Sequence, residues 1–440
     1  MVYLAADNNL TNFGVDSLKQ MKLVASPEIN IVAEFDSGPN QPTTRYLFDG
    51  TGSPTGSIHR NEIGSSRPIN AGDPTNLTAF IEWADRHYPA ECYFLIIWGH
   101  GAGVDDAFPR QSDETFIQRH SLLRVSDRDT LTSRTARQKD VFRTSLFDMR
   151  PLLKGLAFVD NPKSFLTNAG LKAALEEACK TIGRKLNIVG MDSCNMNMIE
   201  IAYEIRNSAD FLIASQDEVP DASWPYDRFL LELIRNPNLS PRALAYTTAN
   251  TYVAAYQDYI DQPVALSALD LSFSNNVIDL FSGLISILRR SSTSKHIRTI
   301  IIEARQQAKS FFGNLYVDLL DFCQLLVQKS HSAPKLLKAS REFLDHFQPF
   351  ITSNEVSRGD ASCRGTSIYF PGNDFVNRKK FESFYKALDF SRATDWAIFV
   401  AEFLDQDILM TRKPDRRRGQ TKMIKTTERP KRLSTRRKAG

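Results

Sequence analysis

The sequence predicts an α/β protein built on a mostly parallel central sheet with helices on both faces. Two observations carry this. Short, nearly unbroken apolar runs such as Tyr93–Trp98 and Leu186–Met191 read as strands buried on both faces. Amphipathic stretches alternate with them and read as the covering helices. In chain order, Val2–Ala5 is a strand, Gly14–Leu23 a helix and Ile29–Phe35 a strand. Tyr46–Phe48 and Ser57–Arg60, around "DGTGSPTG", read as a hairpin at the sheet's edge. "DPTNLTAFIEWADRH" starts polar, then places Leu77, Phe80, Ile81 and Ala84 on one helical face, so Leu77–His87 is a helix. Strands at Tyr93–Trp98 and Gly155–Val159 follow. Asn168–Thr181 then forms an amphipathic helix with Gly183 near its end. Leu186–Met191 and Phe211–Ser215 are strands, with helices at Asn197–Arg206 and Tyr226–Arg235. From Ser240 to Gln348 the pattern is mainly helical, broken by one strand in "PVALSALDL". Arg364–Gly372 reads as a buried strand closed by Pro-Gly, before helices at Phe375–Leu388 and Thr394–Asp405.

A chain of 440 residues holds one large or two to three ordinary domains. Residues 1–408 are expected to form one domain, with a helical part over 240–350. Residues 103–155 are polar, with Arg at 110, 119, 124, 128, 134, 137, 143 and 150, and read as an exposed, cleavable insertion. Residues 409–440 form a basic tail. From position 411 onward, thirteen Lys and Arg face only Asp415 and Glu428. The tail therefore holds +11 of the formal net +4, and the body is acidic at −7. Such a tail is expected to be disordered and solvated, with no nucleic-acid or membrane partner assigned to it. No apolar run approaches the ~20 residues that span a bilayer. Met1 leads straight into a strand, so this chain shows no signal peptide; it reads as cytoplasmic as given, or secreted if a leader is missing. Five widely spaced cysteines without CxxC, and histidines without HExxH spacing, indicate neither a zinc site nor a disulfide framework.

The chemistry concentrates at two strand ends. "LNIVGM" runs into Asp192-Ser193-Cys194, and "YFLIIW" runs into Gly99-His100-Gly101. Ligands of open α/β sheets bind beyond the carboxyl ends of such strands. A thiol beside a helix start is one setting for a reactive cysteine; a buried structural cysteine is the other reading. An imidazole can take the thiol's proton and later protonate a leaving amine. The N–H groups of Gly101 and Cys194 are placed to form an oxyanion hole. A carboxylate at a pocket base suits a guanidinium, with Asp192 the first choice and Asp217, Glu218 and Asp221 secondary. Trp224 and Tyr226 either wall that pocket or pack. Asp7 either orients a group at the site or caps the following helix.

The blocks "YLAADNNL", "WGHGAG", "GMDSCNMNMIEIAYEI", "ASQDEVP…WPYD" and "GTSIYFP" occur in an order that resembles the clostripain-like cysteine peptidases, the C11 group of the caspase/gingipain/legumain clan. The resemblance spans residues 2 to 405. It implies a caspase-like α/β sandwich with a helical C-terminal elaboration. It also implies a dyad of His100 and the nucleophile Cys194, cleaving peptide bonds after Arg or Lys through a thioester, with Asp192 near the P1 side chain. The implied partners are protein or peptide substrates met by a monomer. Self-cleavage between His100 and Cys194 and a dependence on calcium occur in the group; the dyad chemistry itself requires no cofactor. Ser193, Asn195 and Asn197 depart from the usual motif around the nucleophile. They motivate the alternative of a catalytically silent homologue that binds nucleic acid or membrane through its basic tail.

Overall fold

The computed structural model describes residues 1–38, 40–51, 53–54, 56–106, 156–160, 163–258, 263–358, 363–372 and 383–411. Most of the Arg-rich insertion, the basic tail from 412 onward and much of the helix expected at Phe375–Leu388 lie outside them.

The strands are β1 (Val2–Ala5), β2 (Ile31–Asp36), β3 (Thr43–Phe48), β4 (Glu62–Ser66), β5 (Phe94–Trp98), β6 (Leu156–Asp160), β7 (Lys163–Leu166), β8 (Leu186–Asp192), β9 (Ala209–Ala214), β10 (Ala265–Asp270), β11 (Ser310–Phe311), β12 (Tyr316–Asp318), β13 (Ile351–Val356) and β14 (Ser367–Tyr369). Nine of them form one sheet in the order β13-β10-β9-β8-β5-β1-β2-β3-β4. The run from β9 to β2 is parallel throughout. Antiparallel pairs extend it on both sides. This is the α/β architecture expected, with a parallel centre and antiparallel margins.

Twelve helices complete the described chain: α1 (Thr11–Leu23), α2 (Pro74–His87), α3 (Asn168–Ile182), α4 (Ile199–Ile205), α5 (Tyr226–Arg235), α6 (Pro241–Tyr256), α7 (Ser274–Ser291), α8 (Lys295–Gln307), α9 (Leu319–Lys329), α10 (Pro334–Phe347), α11 (Asp389–Ala393) and α12 (Trp396–Thr411). Local chemistry sets several of their ends. Asp73 accepts from Thr75 N ahead of Pro74, and Thr167 accepts from Gly170 N. Gly183 ends α3 at φ 75°, a conformation that favours glycine.

Strand alternation explains why the runs are apolar throughout. Tyr3, Leu95, Ile97, Val189 and Met191 join one core cluster with α2, α3 and α4. Val2, Leu4, Ile96, Trp98 and Ile188 join a second with α1, α5 and α6. Successive side chains point to opposite faces, so both faces must be apolar. Helix Leu271–Ser291 is long and apolar enough by composition to cross a membrane, contrary to the reading of the sequence. Here Val277, Ile278, Phe281, Leu284, Ile285 and Leu288 are buried in the first core.

Two other expectations change. The second arm of the edge hairpin is not Ser57–Arg60. Ser57 Oγ accepts from His59 N and winds Ile58–Asn61 into a 3-10 turn. Lys22 Nζ holds that turn through Ser57 O at 2.9 Å and Asn61 Oδ1 at 2.7 Å. The arm is β4, five exposed residues with no apolar alternation to announce it. The second half also holds more strand than expected: β13 pairs with β10, and β11, β12 and β14 form a small antiparallel sheet. Ser367 of β14 also bridges Met198, tying that sheet to the segment after β8.

Candidate active site

β5 and β8 are parallel neighbours, and Trp98 is the register partner of Asp192. His100 and Cys194 each lie two residues beyond that pair. Adjacent strands are ~4.8 Å apart, so equal offsets bring the two segments out side by side. They do meet: a Cβ added at Gly101 would lie 2.4 Å from Cys194 O and 2.9 Å from Ser193 Cβ. Only glycine lets these two loops approach so closely. Gly103 repeats the point at φ 61°, where an added Cβ would lie 2.6 Å from Met198 Sδ and 3.0 Å from Asn195 O.

His100 is buried at 8% exposure, and its Nε2 lies 2.8 Å from Asn9 Oδ1. A carbonyl oxygen can only accept, so Nε2 carries the proton and the basic lone pair of the neutral ring is on Nδ1. The sequence reading did not single out Asn9, although it stands in the quoted "YLAADNNL" block. Asp7 does not cap α1, whose N-cap is Leu10 without a side-chain bond; Asn8 Oδ1 accepts from Leu10 N instead.

The segment after β9 returns across the nucleophile. Asn195 N donates to Asp217 O at 3.0 Å, and Asn197 N to Ser215 O at 2.8 Å. Val219 N donates to Cys194 Sγ at 3.3 Å. The loop that carries Asp217, Glu218 and Asp221 thereby passes against the sulfur. Burial pushes the thiol well above its ordinary range, and the charges of Glu218, Asp221 and Asp217 push the same way against the Val219 hydrogen bond. The next helix, α4, starts only at Ile199, five residues on, rather than directly beside the thiol.

Asp192 has a different setting from the one its sequence position suggests. Its Oδ2 accepts from Ser223 Oγ, from Trp224 N at 3.2 Å and from Tyr226 Oη at 3.0 Å. Ser223 Oγ in turn accepts from Trp98 Nε1 at 2.6 Å. The carboxylate is buried beneath the 223–226 turn, and burial raises it to about 6 despite these bonds. Trp224, a candidate substrate-binding residue that the sequence left either to wall the pocket or to pack, packs. It is fully buried against Gly190 and Phe229 and offers no surface to a ligand. Tyr226 is equally buried. Among the described residues no group of three His, Cys, Asp or Glu is placed to hold a metal ion.

The model of the Clostripain family, Peptidase_C11, matches residues 2–115 and 145–405. Clostripain of Hathewaya histolytica is 23% identical over 252 residues, 52% of this chain and 40% of that protein. The match thus spans well under half of that relative's length. An inactive zymogen C11 protease from Parabacteroides distasonis is similar in structure, with a TM-score of 0.60 and 15% identity over 89% of this chain and 96% of that one. A secreted C11 cysteine protease from Bacteroides thetaiotaomicron, in complex with an irreversible peptide inhibitor, gives a TM-score of 0.59 and 17% identity over 90% and 98%. At these identities the solved structures speak to the fold. The family match covers most of the sequence and includes both strand ends, and the chain belongs to the Clostripain family of C11 peptidases.

Proposed function

We propose that this protein is a cysteine endopeptidase that hydrolyses peptide bonds after Arg or Lys. One observation carries the reading: Trp98 and Asp192 are in register, so Gly99-His100-Gly101 and Ser193-Cys194 emerge from neighbouring strand tips. Cys194 Sγ attacks the scissile carbonyl carbon while its proton passes to His100 Nδ1. The N–H groups of Gly101 and Cys194 stabilise the oxyanion. Collapse breaks the C–N bond, the imidazolium protonates the leaving amine, and a thioester remains. Water, deprotonated by the same imidazole, releases the acid and restores the thiol. Asp217, Glu218 and Asp221 receive the P1 cation, while Asp192 holds the turn that shapes their loop. Self-cleavage is part of the proposal, because the segment between Asp106 and Leu156 offers eight Arg–Xaa bonds to an Arg-specific enzyme.

The test uses freshly reduced full-length protein and fluorogenic peptides with Arg, Lys or Asp at P1. Arg and Lys peptides should be cleaved and Asp peptides not. Cys194→Ala should lose about a thousandfold or more, as removal of a nucleophile does elsewhere. Intact-mass analysis of the same pair should show cuts within residues 110–150 in the wild type alone. No Arg or Lys turnover, or turnover undiminished in Cys194→Ala, would refute the assignment.

A further inference from the structure

Three backbone segments build the site: residues 99–103 after β5, 193–198 after β8 and 215–219 after β9. All three are tied to one face of the small sheet. In β12, Tyr316 and Asp318 are two apart and share a face, with Val317 turned the other way. β14 pairs antiparallel with β12, and Ser367 stands directly opposite Asp318 on that same face. Tyr316 Oη donates to Ala102 O at 2.5 Å, and a Cβ added at Gly103 would lie 2.8 Å from Tyr316 Cε2. Asp318 Oδ2 accepts from Gln216 Nε2 at 2.9 Å, and Gln216 Oε1 accepts from Gly365 N at 2.8 Å. Ser367 donates to Asn197 O from its backbone N at 2.9 Å and from its Oγ at 3.1 Å. The histidine loop, the nucleophile segment and the loop that passes against the sulfur each have a tie of their own.

We propose that β12 is a strut that sets the spacing of His100 and Cys194: Tyr316 positions the histidine loop, and Gln216, through Asp318, positions the loop against the nucleophile. The inference rests on the assignment of His100 and Cys194 as the reacting pair. Tyr316, Gln216, Asp318 and Ser367 are all fully buried, so water does not compete for their bonds. Each anchor is itself held. The Tyr316 ring stacks on Phe312 with centroids 5.2 Å apart, and Asp318 also accepts from Asp321 N at 2.8 Å and Arg364 N at 2.6 Å. Gln216 stands between Ser215 and Asp217, whose carbonyls accept from Asn197 N and Asn195 N. Its amide therefore fixes the middle of the stretch on which the nucleophile segment leans. These residues act by holding backbone, and a misplacement of about 1 Å between reacting groups costs on the order of a hundredfold in rate.

The experiment uses three variants of the full-length protein. Tyr316→Phe removes one O–H and keeps the ring. Gln216→Met keeps the volume and removes both side-chain bonds. Leu336→Ala opens a cavity in the buried face of α10, which carries none of these ties, and serves as the stability control. One readout is kcat and KM on a fluorogenic Arg peptide. The other needs no turnover: the rate of Cys194 alkylation by iodoacetamide at about pH 7, read by mass spectrometry against the exposed Cys92. His100→Ala gives the rate of a thiol without its base. Tyr316→Phe and Gln216→Met should each lower kcat about ten- to a hundredfold with KM within about twofold, and bring alkylation down toward the His100→Ala rate. The double variant should lose much less than the product of the two, because either loosened tie already frees the spacing. Leu336→Ala should lower the urea midpoint and keep wild-type kcat and alkylation. Wild-type values of both readouts in both strut variants overturn the inference. So does an equal loss of kcat in Leu336→Ala, or a wild-type alkylation rate no faster than that of His100→Ala. Absence of Arg and Lys turnover, with alkylation still dependent on Tyr316 and Gln216, removes the peptidase reading and leaves the strut. Turnover with both readouts unmoved in the variants removes the strut alone.

Discussion

At the scale of single residues, Asn9 matters most among those not read as functional from sequence. Its Oδ1 sits 2.8 Å from His100 Nε2 and selects the tautomer in which Nδ1 is the base. Asn9→Ala should leave the fold intact and lower kcat by about ten- to a hundredfold, with a smaller change in KM, because the ring loses its orientation. Asn9→Asp should place an anion beside the ring, stabilise the imidazolium and shift the His100-dependent limb of the kcat/KM pH profile upward. If both variants kept wild-type kcat and pH profile, Asn9 would have no positioning role. His100 and Cys194 were legible because their local grammar is plain: an unbroken apolar run, then a chemical group among small residues. Asn9 was not, because an asparagine in a polar loop has many fates and its partner lies 91 residues away. Asp192 was legible as a residue of interest, but its setting was not. A sequence does not show that Ser223, Trp224 and Tyr226 fold back onto its carboxylate.

At the scale of elements, the segment after β8 is a junction. Asn197 Nδ2 donates to Ala214 O of β9 at 3.1 Å and to Ser267 O of β10 at 3.2 Å. Its backbone N donates to Ser215 O, and its backbone O accepts from Ser367 N at 2.9 Å. One side chain thus clips the nucleophile loop to two strands, and its backbone joins it to the small sheet. Asn195, at φ 59°, adopts the left-handed conformation that asparagine tolerates better than most residues. These two residues, which depart from the family's motif, therefore have a structural use. Asn197→Ala should remove one hydrogen bond from each of these carbonyls and lower unfolding free energy by about 1–3 kcal/mol, measured by urea denaturation. Unchanged stability would show that the clip carries no weight. The same scale explains what the sequence pattern could show. β1, β5, β8 and β9 are continuous apolar runs and read plainly. β4 is fully exposed and β11 is two residues long, so neither has a pattern to read.

At the scale of the whole molecule, buried carboxylates close the joints between distant parts of the chain. Asp318 accepts from Gln216 Nε2 at 2.9 Å, Asp321 N at 2.8 Å and Arg364 N at 2.6 Å. Glu200 accepts from Tyr369 N at 2.8 Å and Tyr385 Oη at 2.6 Å, fastening α4 to the C-terminal segments. Burial raises Asp36, Asp192 and Asp318 to about 6 and Glu200 to about 7, against the pull of their hydrogen bonds. The sign follows from linkage. Each acid holds its proton more tightly folded than unfolded, so the stability it contributes is complete below its unfolded value and is lost as pH rises through the folded one. Stability should therefore fall between about pH 4 and pH 7, with Glu200 alone responsible for on the order of 2–3 kcal/mol. Glu200→Gln keeps an acceptor for Tyr369 N and Tyr385 Oη and removes the titration. Its stability should be flatter over that range, even if burying the amide N–H₂ lowers it at every pH. The slope, not the offset, is the readout. Parallel pH–stability curves for the two proteins would mean that Glu200 titrates alike in the folded and unfolded chain, and the clasp would then be an ordinary hydrogen bond with no acid-dependent part.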